Sequence, residues 1–133
     1  MSVEKALTCV SYPASADLSA KQFYCINLAS DGEVQVATGG AKVTGILQDN
    51  PAAVGRAAAV AIGGISKVSA QTGGGAAIAI GDPLIASSIG TAIKGTTGGT
   101  AFVFGRAAEA LTTAVGAAII SAQLTFEGPT STA

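Results

Sequence analysis

The sequence predicts an all-β fold: a small compact β-barrel or sandwich with short strands, Gly-rich turns and an extended N-terminal arm. Three observations carry this. Apolar residues recur with period two over Phe23–Leu28, Val60–Ala70 and Ile120–Phe126, the spacing of strands with a buried face. Glycine-centred turns follow one another at short intervals, as they do in antiparallel barrels and sandwiches. Helical periodicity is scarce. The recurrence of a Gly-turn-strand unit leaves a β-solenoid as a minor alternative.

The stretch from Val43 to Ala70 reads as strand, turn, strand, and the rest of the chain is arranged around it. Val43, Gly45 and Leu47 alternate with Thr44, Ile46 and Gln48. Asp49-Asn50-Pro51 is turn chemistry, because Asp and Asn bond their own backbone and Pro fixes φ. Beyond it, Val60, Ile62, Gly64, Ser66, Val68 and Ala70 share one face of an extended segment. Ala61, Gly63, Ile65, Lys67 and Ser69 share the other.

Upstream, residues 1–14 form an N-terminal arm or edge strand, with Ala6–Ser11 as a short strand and Tyr12–Asp17 as its break. Phe23–Leu28 is a strand, Asp31-Gly32 a hairpin turn, and Glu33–Val36 a half-exposed strand. Downstream, Ala77–Ile80, Leu84–Ala86, Ala92–Lys94 and Thr100–Arg106 are short extended segments between turns. Gln71–Gly75 is a flexible turn rather than a phosphate cradle, since neither a helix start nor a Lys-Ser/Thr pair follows it. Ala107–Thr113 is the one plausible helical turn, on the propensities of Ala, Glu and Leu. Ala118–Glu127 is the cleanest strand, with Ile120, Ala122, Leu124 and Phe126 on one face. The organisation expected is a single β-barrel-like domain over 15–127 and a loose C-terminal tail over 128–133. Ile120, Leu124 and Phe126 are expected to pack with Val60, Ile62 and Val68.

Composition narrows the function. The chain has 133 residues, 49% hydrophobic but only 5% aromatic, and no Trp. Charged residues are 11%, against about 25% in ordinary soluble domains. A surface so poor in charge is expected to be partly covered in an assembly. Net charge is −1 and the seven Lys and Arg stand singly, so there is no basic stripe to neutralise phosphates and no direct nucleic-acid partner is expected. No run reaches the roughly 18 apolar residues of a membrane helix, and Met1–Leu7 has no apolar core behind a basic start, so neither membrane nor secretory signal is expected.

Histidine is absent, which removes the commonest general base and metal ligand. Ser and Thr abound without a base to activate them. Asp31 and Glu33 are conceivable paired carboxylates, but two surface acids on a hairpin are the plainer reading. Arg56, Lys67 and Arg106 are each singly placed cations that could meet an acidic partner. Cys9 and Cys25 are expected to be reduced packing residues, since two cysteines are too few for most metal sites. The expectation is no enzyme, with no catalytic, cofactor-binding or metal residue.

The ordered set Asp17–Tyr24, Asp31-Gly32, Gly45–Pro51, Val60–Val68, Gly81–Leu84 and Gly105–Ala110 resembles the capsid cement, or head-decoration, proteins of tailed bacteriophages. The match spans roughly residues 15–126. The resemblance implies a structural virion protein, a compact β-barrel-like domain made in the host cytoplasm and bound to the capsid exterior. Its implied partner is the phage major capsid protein, and its implied state a homotrimer or, failing that, a dimer. A virion-displayed adhesion or fibre module is the competing reading, for which Tyr12 and Tyr24 are the candidate exposed aromatics. The capsid grip is expected from residues 1–16 and from the loops Pro51–Arg56 and Gly73–Gly75. An extended arm can order on its partner.

Overall fold

The computed structural model describes residues 5–72, 77–95, 101–112 and 118–129. They form an all-β structure with no helix among them. The strands are β1 (Lys5–Pro13), β2 (Cys25–Leu28), β3 (Val34–Val36), β4 (Gly45–Leu47), β5 (Ala57–Ala70), β6 (Pro83–Ala86), β7 (Ala92–Lys94), β8 (Phe102–Ala107) and β9 (Ala118–Pro129).

The longest strand, β5, belongs to two closed rings. Its second half pairs antiparallel with β9 from Gly64↔Leu124 to Ala70↔Ala118, and its last residue pairs parallel with β7 at Ala70↔Ala92. β7 then pairs with β6, β6 with β8, and β8 with β9. These five strands close a barrel. The first half of β5 pairs with β1 on one edge, from Pro13↔Ala57 to Lys5↔Ile65, and with β4 on the other. β4 continues to β2 and β2 to β3. A parallel bridge Ala14↔Val34, with the Ser15 amide donating to the Val34 carbonyl at 2.9 Å, joins β3 back to β1. The smaller ring is thereby closed as well, and closure removes the exposed edges that sheets otherwise leave.

Two cores match the two rings. Ala14, Leu18, Ile26, Val34, Leu47, Ala58 and Val60 fill the smaller one, with Val10, Tyr12, Val36 and Ile62 packed at its margin. The larger holds Phe104, Ile78, Leu84, Val68, Ile120 and Leu124, and extends to Cys25, Val43, Ile46 and Ala61 on the opposite face of the smaller ring. The expected packing group is therefore divided. Val60 and Ile62 serve the smaller core and Val68 and Ile120 the larger, while Ile62 and Phe126 are half-buried. Phe104 is the large, fully buried aromatic of the interior.

The division follows from one residue. Ala58, Val60, Val68 and Ala70 share a parity along β5, so an unbroken strand would aim them alike. Gly64 lies between them with φ +92°, in the left-handed region that suits glycine. There the strand leaves β1 and β4 and takes up β9, and the same row of side chains passes from one core to the other.

Three expectations are corrected. Lys5–Pro13 is strand β1, paired along β5. Of the alternatives for residues 1–14, these residues take the strand; residues 1–4 lie outside the described residues. Residues 107–112 are not helical: Ala107 pairs with Ala122, and Leu111 and Ile78 exchange backbone hydrogen bonds at 2.8 Å in both directions. Local propensity over a few residues is too weak to resist such pairings. Thr113 lies outside the described residues. Gly128 and Pro129, assigned to the tail, belong to β9 opposite Val103 and Phe102; residues 130–133 lie outside the described residues, as does the loop Gly73–Gly75.

Candidate functional site

The structure separates most of the residues that the sequence singled out. Asp31 and Glu33 stay at the β2–β3 turn, where Asp31 Oδ1 accepts the Glu33 amide at 3.0 Å. Partial burial, then the hydrogen bond and charge of Asp31, holds the Glu33 carboxyl above its ordinary range. A carboxylate capping the next strand is a turn device. Tyr12 packs at the margin of the smaller core. Tyr24 lies under the Lys21 ammonium, 5.0 Å from the ring centroid, and Lys67 lies 5.9 Å from the Phe23 ring. Neither tyrosine is a free stacking platform of the kind a glycan-binding module displays.

Cys9 and Cys25 are both free thiols. They stand on one register line, Cys9↔Ala61↔Ile46↔Cys25, crossing β1, β5, β4 and β2. Three strand spacings put them about 14 Å apart, well beyond the roughly 7 Å reach of a disulfide. Cys25 is the packing residue expected, and burial pushes its thiol well above the ordinary value. Cys9 is exposed, so its expected packing role is corrected: it faces away from both cores, near a double irregularity in β1 at Lys5/Thr8 and Thr8/Cys9. Among the described residues no group of three or more His, Cys, Asp or Glu converges as metal ligands do.

One polar cluster is built across the larger barrel. Asp82, in the turn before β6, accepts the Ala79 amide at 2.9 Å and meets the Lys94 ammonium of β7 at 3.3 Å. The Ala79 bond, then the Lys94 bond and the Lys94 and Arg106 charges, hold its carboxyl below the usual range against a smaller opposing effect of burial. Arg106 of β8 forks onto Glu127 of β9, and its Nη1 donates to the Gly81 carbonyl at 3.3 Å. Thr125 Oγ1 donates to Glu127 Oε2 at 2.7 Å. All the strong acceptors of this cluster are satisfied from within it, so it ties strand ends together and leaves no open position for a substrate. The sequence reading missed Glu127 as a partner of Arg106, because their approach depends on a β9 bulge that carries no sequence motif.

What the surface offers is a docking face. Residues 52–57, Ala-Ala-Val-Gly-Arg-Ala, are all exposed, and Val54 is 66% exposed. The loop is nevertheless pinned. Pro51 is buried and its carbonyl accepts the Leu18 amide at 2.8 Å; Gly55 donates to Ala14 at 2.8 Å, and Ala14 donates to Arg56 at 2.9 Å. Asp49 Oδ1 accepts the Ala59 amide at 3.2 Å behind it. Other exposed apolar side chains are Ile80, Ile89, Ile119 and Leu28. Ile80, at 72%, stands in the turn before Gly81-Asp82-Pro83, and an isoleucine beside turn residues is the sequence signal that could have found it.

No protein-family model matches this chain. No curated protein matches it either. Among solved structures it is similar to the head fiber gp8.5 N base of bacteriophage phi29, with a TM-score of 0.58 and 16% identity, over 92% of this chain and 97% of that chain. At that identity the likeness is one of fold: nearly the whole path of this chain, both rings included, follows that of a phage head-fibre base.

Proposed function

We propose that this chain is a structural protein of a phage head, a cement or decoration protein bound to the exterior of the capsid. Its partner is the major capsid protein, and it acts as a homo-oligomer, a trimer in the first instance. The observation that carries the reading is the end-to-end fold likeness to the base of a phage head fibre. The charge-poor composition and the pinned, exposed loop 52–57 support it, since a protein that lies on another gains stability by covering surface there. The sequence resemblance to cement proteins points the same way. No catalytic role is assigned: the sequence contains no histidine, and the polar cluster around Arg106 is spent on the fold.

A second reading has one observation in its favour. The similar structure is named as a fibre base, so this chain could be the foot of a displayed adhesion module rather than a cement. Both readings place it on a head. Mixing purified protein with expanded heads that lack it, then sedimenting the particles, tests the common claim. Retention at saturable, lattice-defined stoichiometry supports it, and absence of binding overturns it. Raised heat resistance of the decorated heads favours cement; binding without any change in head stability favours the fibre foot.

A further inference from the structure

We infer that the loop Ala52–Arg56 is the docking finger of this protein, with Val54 as its apolar tip and Arg56 as its charged anchor. The partner that fits it is a protein surface with a shallow apolar depression rimmed by carboxylates. This rests on the head-binding reading above and deepens it by naming the contact. Four observations converge. The loop exposes six consecutive residues, of which Arg56 alone is charged. It does so while pinned to Ala14 and Leu18 by backbone hydrogen bonds at 2.8–2.9 Å, so little ordering entropy is lost on docking.

The remaining two concern charge. Arg106 forks onto Glu127, Lys94 meets Asp82, and Lys21 and Lys67 lie over aromatic rings. The Arg56 guanidinium has no such partner among the described residues. An exposed arginine beside an exposed valine is the pairing that interface centres favour, an apolar contact flanked by a forked donor for carboxylates. A membrane or nucleic acid is a poorer fit, because the loop offers a single cation and the chain's net charge is −1.

The test compares Val54→Ser, Arg56→Ala and Arg56→Glu with Ile80→Ser, an equally exposed residue at the far end of the larger barrel. Thermal melting of each free protein confirms that the fold is kept, as the exposure of all three positions predicts. Binding to expanded heads is then measured at low and raised salt. Val54→Ser and Arg56→Ala are expected to weaken binding about tenfold or more and Arg56→Glu further, while Ile80→Ser binds as the wild type does. Salt should weaken the wild type more than Arg56→Ala. If the wild type binds and the loop variants bind equally well, the finger is wrong and the head-binding reading stands. If Ile80→Ser is the variant that fails, the docking face lies at the other end and the inference is overturned. A wild type that does not bind heads at all removes the head-binding reading, and the finger with it.

Discussion

Arg106 and Glu127 meet as a two-pronged pair, Nε to Oε2 at 2.8 Å and Nη2 to Oε1 at 2.7 Å. A regular ladder would not bring them together. Arg106 is registered opposite Gln123, four residues before Glu127. Between Gly105↔Leu124 and Val103↔Gly128 the two strands count differently, one residue of β8 against three of β9. Phe126 sits inside this bulge with φ +48°, a conformation that costs a bulky residue energy. The bulge turns Glu127 back toward Arg106, and the pair in turn holds the bulge.

That geometry sets a pH dependence. The Arg106 hydrogen bonds, then that of Thr125, hold the Glu127 carboxyl down to about 2. A carboxyl whose folded value is depressed contributes stability above its unfolded value, near 4.3, and loses it as pH falls through the folded one. The side chains are 43% and 36% exposed, so solvent screening keeps the contribution to about 1 kcal/mol or less. Glu127→Gln should be less stable than wild type by that amount at pH 7, and the difference should shrink below pH 4. Urea denaturation at pH 7, 4 and 2 checks this; an undiminished difference at pH 2 refutes the account.

Gly45 lies where β4 crosses β5, and a Cβ there would run into the Ala61 carbonyl and the Val60 side chain. The obstacle on one side is backbone of the shared strand, which cannot swing aside. Gly45→Ala is expected to destabilise by about 3 kcal/mol, in the upper range of overpacking. Thermal melting reads it, and a melting point unchanged within a degree would show that β4 can shift.

Deletion of residues 2–13 should abolish folding. It removes β1, whose seven registered pairs with β5 run from Lys5 to Pro13 and whose Leu7, Val10 and Tyr12 pack on the two cores. The shorter deletion of residues 2–8 takes off the end beyond the register shift at Thr8/Cys9 and should lower the melting temperature without unfolding the chain. Circular dichroism and melting of both truncations decide. A 2–13 deletion that melts like the full chain would show that β1 is dispensable.

The cysteines should answer differently to a thiol reagent. Cys9 is exposed and Cys25 is buried and held in its neutral form. Attack needs both the thiolate and access. One thiol should therefore titrate in the native protein and two in denaturant, and reducing agent should leave the melting temperature unchanged. A second thiol reacting at the rate of the first would place Cys25 nearer the surface than the structure does.

The sequence by itself determined the class of fold and the positions of most strands. Alternation reports burial directly, and β2, β5 and β9 all lie within stretches of period two. Asp49-Asn50-Pro51 and Asp31-Gly32 were legible as turns because their chemistry is local. The exposed loop at Pro51–Arg56 was legible for the same reason, as a run without large buried side chains. Which core a buried residue enters was not legible. Val60 and Val68 share a parity, and only the break at Gly64, together with the exchange of β1 and β4 for β9, sends them to different interiors. Nor could Arg106 be matched to Glu127, because a bulge is the outcome of long-range register and carries no periodicity of its own. The helical bias of Ala107–Leu111 was real but local. Tertiary structure overrode it through Ala122 and Ile78, partners that lie 15 or more residues away and that no local window contains.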